Sequence, residues 1–238
     1  MELVKASVLL GALCLLGPWS CRPSADSSVK TYRVHSTDDE IEVDGRLDER
    51  AWADAALDTD FTFPWQEREA PATEFRGLTD DTHFYFAFRV EDADIVIDDG
   101  DDEQAVARGD RVELFFTSDP ELGDYICFEI DPSGRVLDYR AAYYREFDRD
   151  WHLPELVVAT VLTGTGYIVE GRIPHAGFRD AGLATLADDG KVLTGVFRAE
   201  YSHRDDGEPL AEWISWVTPS SAEPDFHIPS AFGWLQTR

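Results

Sequence analysis

The chain of 238 residues carries a formal net charge of −27 and a sequence pI near 4.3, with 43% hydrophobic and 12% aromatic residues. So much apolar side chain excludes a disordered polyanion and suffices for one domain of about 200 residues, a size usual for a single sandwich or barrel. The acidity therefore belongs on the surface, where it repels nucleic acid and anionic membrane as partners.

In chain order, Met1–Lys5 gives a weakly positive start, Ala6–Leu16 an apolar run too short to span a bilayer, and Gly17-Pro18 a stop. Residues 1–21 thus read as a secretory leader and 22–30 as a tether, with one domain over 31–238. Cys21 is the expected lipid-attachment residue of a bacterial lipoprotein, although Pro18 stands where a lipobox usually carries Leu, and plain secretion is the alternative. Either way the protein is expected outside the cytoplasm, in the cell envelope, periplasm or medium, touching membrane only through that anchor. Cys127 is then the single thiol of the folded part, read as a small strand residue rather than a nucleophile. Only Lys5, Lys30 and Lys191 stand beside eighteen arginines, a balance shared by proteins of concentrated salt and by high-GC genomes.

From Thr31 onward the pattern alternates with period 2 and is broken by turn residues, and no long amphipathic helix appears, so the expected class is all-β with at most one or two short helices. The stretch Glu42–Trp52 runs from a short strand through the Asp44-Gly45 turn into one helical turn, placing Leu47, Ala51 and Trp52 on one side. Strands follow at His83–Glu91, Arg111–Thr117, Tyr125–Asp131, Val136–Tyr143, Leu156–Leu162, Gly166–Ile173, Val192–Tyr201 and Trp213–Val217, with a short helix within His175–Leu186. One face of these strands is apolar: Phe84, Phe86, Phe88 and Val90; Val112, Leu114 and Phe116; Ile126, Phe128 and Ile130. The other shows Tyr85, Arg89, Glu113, Tyr125, Glu129, Glu170, Arg172, Arg198 and Glu200. Mid-strand charges of both signs describe either a shallow hydrogen-bonding trough or a cross-strand ion-pair lattice. The acidic segment Glu91–Glu103 gathers eight carboxylates and offers Asp92 and Asp94, with Asp110 beyond it, as calcium ligands, though it lacks EF-hand spacing and is also explained as a solvated run.

Six ordered blocks carry a family likeness: DGRLDERAW (Asp44–Trp52), FYFAFRVED (Phe84–Asp92), DRVELF (Asp110–Phe115), YICFEIDPSG (Tyr125–Gly134), GYIVEGRIP (Gly166–Pro174) and FHIPSAFG (Phe226–Gly233). Together they resemble the family 9 carbohydrate-binding modules. The resemblance implies an antiparallel β-sandwich, jelly-roll-like with immunoglobulin-like layers, that holds sugar without cleaving it. Its members clasp a terminal mono- or disaccharide between two tryptophans and commonly bind calcium in their loops. Carried onto this chain, it points to Trp65 in the Phe61–Pro71 loop as one tryptophan and to Trp216, or its neighbour Trp213, as the other. Arg89 matches a strand arginine that reaches sugar, and Glu69 or Glu74 is its acidic partner.

To these the residues themselves add Glu113 and Glu129 from the charged face and Trp151 from a loop, whereas Trp52 and Trp234 sit in fold-punctuating motifs and are expected in the core. The partner implied is an oligo- or polysaccharide met by a monomer, with calcium as the only cofactor expected and no haem. Three competing functions differ in class. A glycosidase would use Glu113 and Glu129 about 5 Å apart, but nearby arginines hold such carboxylates ionised. A b-haem domain would need two of His83, His152, His175, His203 and His227. A structural or interaction sandwich would bind no sugar at all.

Overall fold

The computed structural model describes residues 29–237; the leader, Cys21 and most of the tether lie outside them. In chain order the elements are β1 (Thr31–Arg33), β2 (His35–Ser36), α1 (Arg50–Asp54), β3 (Thr73–Thr79), β4 (His83–Glu91), β5 (Arg111–Thr117), β6 (Tyr125–Ile130), β7 (Val136–Ala142), β8 (Glu146–Asp148), β9 (Val157–Leu162), β10 (Gly166–Pro174), α2 (His175–Asp180), α3 (Leu186–Asp189), β11 (Lys191–Ser202), β12 (Leu210–Ser215) and β13 (Gly233–Gln236). They form an all-β sandwich of two sheets. The larger runs β1-β13-β11-β5-β6-β7-β8 with β12 on β11, and the smaller runs β2-β3-β4-β10-β9. Pairing is antiparallel except for β1 on β13 and β2 on β3, two short parallel contacts. None of the described helices is long and apolar enough to cross a membrane.

The alternation places the core. Phe84, Phe86, Phe88 and Val90 of the smaller sheet face Val112, Leu114, Phe116, Ile126, Phe128 and Ile130 of the larger one, all essentially inaccessible to solvent. Burying each such side chain contributes about 1.5–3 kcal/mol, which is what holds the layers together. Gly171 of β10 lies opposite Phe86, and a Cβ there would meet that ring at 2.2 Å, so only glycine lets the phenyl pack across the strand.

The Asp44–Trp52 motif caps the outside of the smaller sheet. Gly45 turns the chain at φ 83, and the amides of Asp44 and Gly45 donate to Glu170 Oε2 at 3.0 and 2.7 Å, while Trp52 Nε1 donates to Oε1 at 2.9 Å. Trp52 itself is buried with Ile41, Ala51, Leu78, Tyr85 and Ala87. Glu170, read from sequence as part of the charged trough, is therefore the anchor of this corner.

Two further members of the predicted trough also move. Arg198 and Glu200 lie on the inward side of β11, where Arg198 is fully buried and donates to the Glu91 carbonyl at 3.0 Å, to Thr73 Oγ1 at 3.2 Å and to Glu200. The guanidinium thereby ties the two sheets together at one edge. Tyr85, Arg89 and Arg172 stay on the outside of the smaller sheet, whereas Tyr125, Glu113 and Glu129 are on the outside of the larger. The trough is thus two opposite surfaces: Asp92–Asp110 carries the chain from one sheet to the other between β4 and β5, and alternation distinguishes in from out but not which sheet a strand joins.

Candidate functional site

The far face of the larger sheet is not bare. Phe115, Tyr125, Cys127, Leu137, Tyr139, Leu193 and Phe197 project from it, and Phe226, Ala231 and Phe232 of the segment before β13 lie over them, forming a second apolar cluster. Phe226 stacks on Phe197 with centroids 4.0 Å apart and planes at 6°, and the His227 ring lies 5.0 Å from Phe115. Burial pushes the Cys127 thiol well above its ordinary range, as expected of a packing residue. It likewise pushes His227 down to about 3, so the imidazole is neutral and shares a hydrogen bond of 3.0 Å with Tyr125 OH.

Beside this cluster the covering stops, and a cavity of about 210 Å³ opens. Its floor is Arg111 and Glu113 of β5, Glu129 of β6 and Tyr139 of β7. Glu113 and Glu129 are direct cross-strand neighbours, and Arg111 Nε sits 3.0 Å from Glu113 Oε1 and 2.6 Å from Glu129 Oε2. Tyr139 OH donates to Glu129 Oε1 at 2.8 Å, and Arg111 Nη1 donates to the Ala107 and Gly109 carbonyls. The walls are Trp213 of β12, Phe147 of β8 and Phe226, with Arg145, Arg149, Asp225 and Gln104 at the mouth. Arg111 lies 5.5 Å from the Trp213 ring centroid, within cation–π range.

Two buried carboxylates beside one guanidinium leave an excess negative charge. Burial, and then the neighbouring Glu129 carboxylate, push Glu113 up to about 8 against the pull of Arg111. Arg111 is itself drawn down by burial but held above its ordinary range by Glu113 and Glu129. Burial thus disfavours the charged form of Glu113, and a guanidinium with a carboxyl beside it can both donate and accept. Glu113 Oε1, Glu129 Oε2 and Arg111 Nε make no aligned hydrogen bond among the described residues and are held to one another by ion pairing instead. A small cavity with aromatic walls and a few convergent polar groups is the form of a small-molecule site.

The expected site residues divide on this geometry. Glu113 and Glu129 are brought together at the floor. Trp65 comes close: its ring packs 5.8 Å from Phe226 and its Nε1 donates to Ser221 O at 3.0 Å, so it buttresses the cover from behind without lining the cavity. Of the tryptophan pair, Trp213 faces the cavity, while Trp216 is only 3% exposed and lies between the sheets with Ile214. Trp151 packs on Phe128 at the sandwich edge, and Glu69 is exposed on its loop away from the cavity lining. Arg89 is exposed on the opposite side of the sandwich, 3.9 Å from Glu74, and cannot meet Glu113 or Glu129. Arg111, Tyr139, Phe147, Arg145, Arg149, Asp225 and His227 complete the cavity but were not selected from sequence. Arg111 carried the one available signal, standing on the same face as Glu113.

The calcium set does not converge either. Asp94 turns outward to His203, accepting from its backbone N and sharing its Nδ1, both at 2.7 Å. Asp92 and Asp110 meet Glu200 instead, but Arg198 is bonded to Glu200 and lies 3.7 Å from Asp92, and both Asp110 oxygens accept backbone amides, from Val96 and Tyr201. A calcium cage needs six to eight oxygens free to coordinate. Here Arg198 supplies one positive charge beside three buried carboxyl groups, and burial pushes Asp110 up to about 8. The acidic segment is held by arginines: Asp98 accepts from Arg108, and Arg135 donates to the Asp98 and Gly100 carbonyls. Two wider depressions, about 630 and 660 Å³, flank Ser36–Asp39, but they are lined largely by acidic turns with no tryptophan.

Fold and site together define a β-sandwich with a polar–aromatic cavity, open at its mouth, on its larger sheet. The chain matches the carbohydrate family 9 binding domain-like family over residues 43–237 and belongs to that family. No curated protein matches it. Among solved structures it is similar to a candidate carbohydrate-binding protein from Bacteroides uniformis, at TM-score 0.67 and 17% identity over 88% of this chain and 99% of that one. It is also similar to a family 9 carbohydrate-binding module from Caldicellulosiruptor kristjanssonii, solved with glucose and with cellotriose, at TM-score 0.54 and 18% identity over 87% of this chain and 95% and 93% of those.

Proposed function

We propose that this protein binds a saccharide without cleaving it, in the cavity floored by Arg111, Glu113 and Glu129 and walled by Trp213. The observation that carries the reading is a half-buried indole, Trp213, standing beside a cavity floor of one guanidinium and two carboxyl groups. The apolar C–H face of a pyranose stacks on an indole, and a guanidinium beside two carboxyl groups matches neighbouring sugar hydroxyls, which both donate and accept. Family membership and the sugars named with the Caldicellulosiruptor module support the same ligand class. A binding role suits the carboxylates better than hydrolysis: both lean on the same Arg111 nitrogen at the bottom of the cavity, whereas a glycosidase sets its pair on either side of the bond it breaks. With the leader read as an export signal and Cys21 as an anchor or part of a cleaved leader, the module would hold polysaccharide fragments at or outside the cell surface as a monomer.

Calorimetric titration with glucose, cellotriose and xylo-oligosaccharides tests this. The wild type is expected to bind at least one neutral sugar with a micromolar to millimolar Kd. Trp213→Ala should weaken it about tenfold or more, and Arg89→Ala should leave it intact. Trp216→Ala should instead cost about 3–5 kcal/mol of stability as a core truncation. Loss of binding in Arg89→Ala with retention in Trp213→Ala would place the site on the other sheet and overturn the proposal.

A further inference from the structure

Among the described residues, the only phenylalanine, tyrosine or tryptophan side chains exposed by more than a third are Tyr143 and Tyr144, each 52% exposed. They occupy the turn between β7 and β8 and enter none of the three buried clusters, so packing does not account for them. The pair is nonetheless held in place. Tyr143 N donates to the Leu122 carbonyl at 2.8 Å, Tyr144 OH donates to Asp225 Oδ2 at 2.6 Å, and Arg145 lies over the Tyr144 ring at 5.9 Å while reaching Asp225 Oδ1 at 3.0 Å. Asp225 and Arg145 are also at the cavity mouth, so the two rings begin where the cavity ends. Their centroids are 5.3 Å apart at 64°, an angled corner that offers one ring face and one ring edge to the same guest. The cavity itself, at about 210 Å³, is smaller than the roughly 300–1,000 Å³ of a typical drug-sized ligand site, so a longer ligand must extend past its mouth, of which Arg145 and Asp225 form one side.

We infer that Tyr143 and Tyr144 form an outer subsite on which the next ring of an oligosaccharide stacks while its terminal unit occupies the cavity. The inference rests on the saccharide reading of the cavity and adds a contact of this chain's own, the Tyr143–Tyr144 pair, that favours a ligand of two or more units over a free monosaccharide. Sugar stacking on an anchored aromatic ring is expected to add about tenfold in affinity.

The test is a calorimetric series with glucose, cellobiose and cellotriose, and with xylose, xylobiose and xylotriose, on the wild type, Tyr143→Ala and the Tyr143→Ala/Tyr144→Ala double variant, with melting curves as the folding check. Tyr144→Phe, which keeps the ring and removes the bond to Asp225, separates stacking from the placement of Asp225. The ratio of trisaccharide to monosaccharide affinity should be about ten in the wild type, stay near that value in Tyr144→Phe, and fall toward one in the alanine variants. A ratio near one in the wild type, or one that survives in the folded double variant, overturns the outer subsite while leaving the cavity reading standing. Failure of every sugar to bind the folded wild type overturns both.

Discussion

At the level of single residues, the floor of the cavity is an arrangement that water would not favour. Glu113 is buried beside Glu129 with one guanidinium between them, and its carboxyl is pushed from about 4.5 to about 8. Between those values the folded protein holds a proton that the unfolded chain has released, so stability falls as pH rises through the window and levels off above it. His227 acts in the opposite sense, because its imidazole is pushed down to about 3; that gain grows from there and levels off only above about pH 6.5, as the unfolded histidine loses the last of its protonated half. Between about pH 6.5 and 8 three raised carboxyls act together, because burial also pushes Asp110 up to about 8 and Glu200 up to about 7. Urea unfolding should therefore show wild-type stability declining across that interval, and Glu113→Gln should make the decline shallower while the share from Asp110 and Glu200 remains. A wild-type curve that rises there would contradict the assignment. Trp213 and Trp216 make the same point about environment: three positions apart on one chain segment, one faces the cavity and the other fills the core.

At the level of elements, much was legible in the sequence. β4 and β5 coincide with the runs picked out by alternation, His83–Glu91 and Arg111–Thr117, because each is long, aromatic-rich and bounded by turn residues. β1, β2 and β8 are two or three residues long and carry too little pattern to read. The expected strand Trp213–Val217 instead runs Leu210–Ser215, its start hidden by the acidic turn before it. The cavity was least legible: Arg111, Tyr139, Phe147, Trp213 and Asp225 come from four strands and a loop, and no local periodicity links them. The Asp44–Trp52 motif shows the reverse, a local pattern whose meaning is long-range. Its docking depends on Glu170, which is buried and accepts three hydrogen bonds from it. Glu170→Ala should strip all three and cost about 3 kcal/mol in urea unfolding, with Glu170→Gln costing roughly a third of that. Equal stability of wild type and Glu170→Ala would show that the corner is held by packing alone.

At the level of the whole molecule, the sandwich separates two jobs that the sequence had merged. The smaller sheet turns its outer face to the capping motif and to exposed pairs such as Arg89 with Glu74, while the larger sheet is left partly uncovered beside Phe226. Most of the acidic side chains lie at the surface, and the two buried arginines, Arg111 under the cavity and Arg198 between the sheets, are each paired with buried carboxylates. The central claim is one of location, so the most direct measurement is a crystal structure of the protein with cellotriose. The expected result is a terminal sugar ring against Trp213 with hydroxyls on Arg111, Glu113 and Glu129. Sugar bound on the outer face of the smaller sheet near Arg89 and Arg172, with the cavity filled only by water, would contradict it.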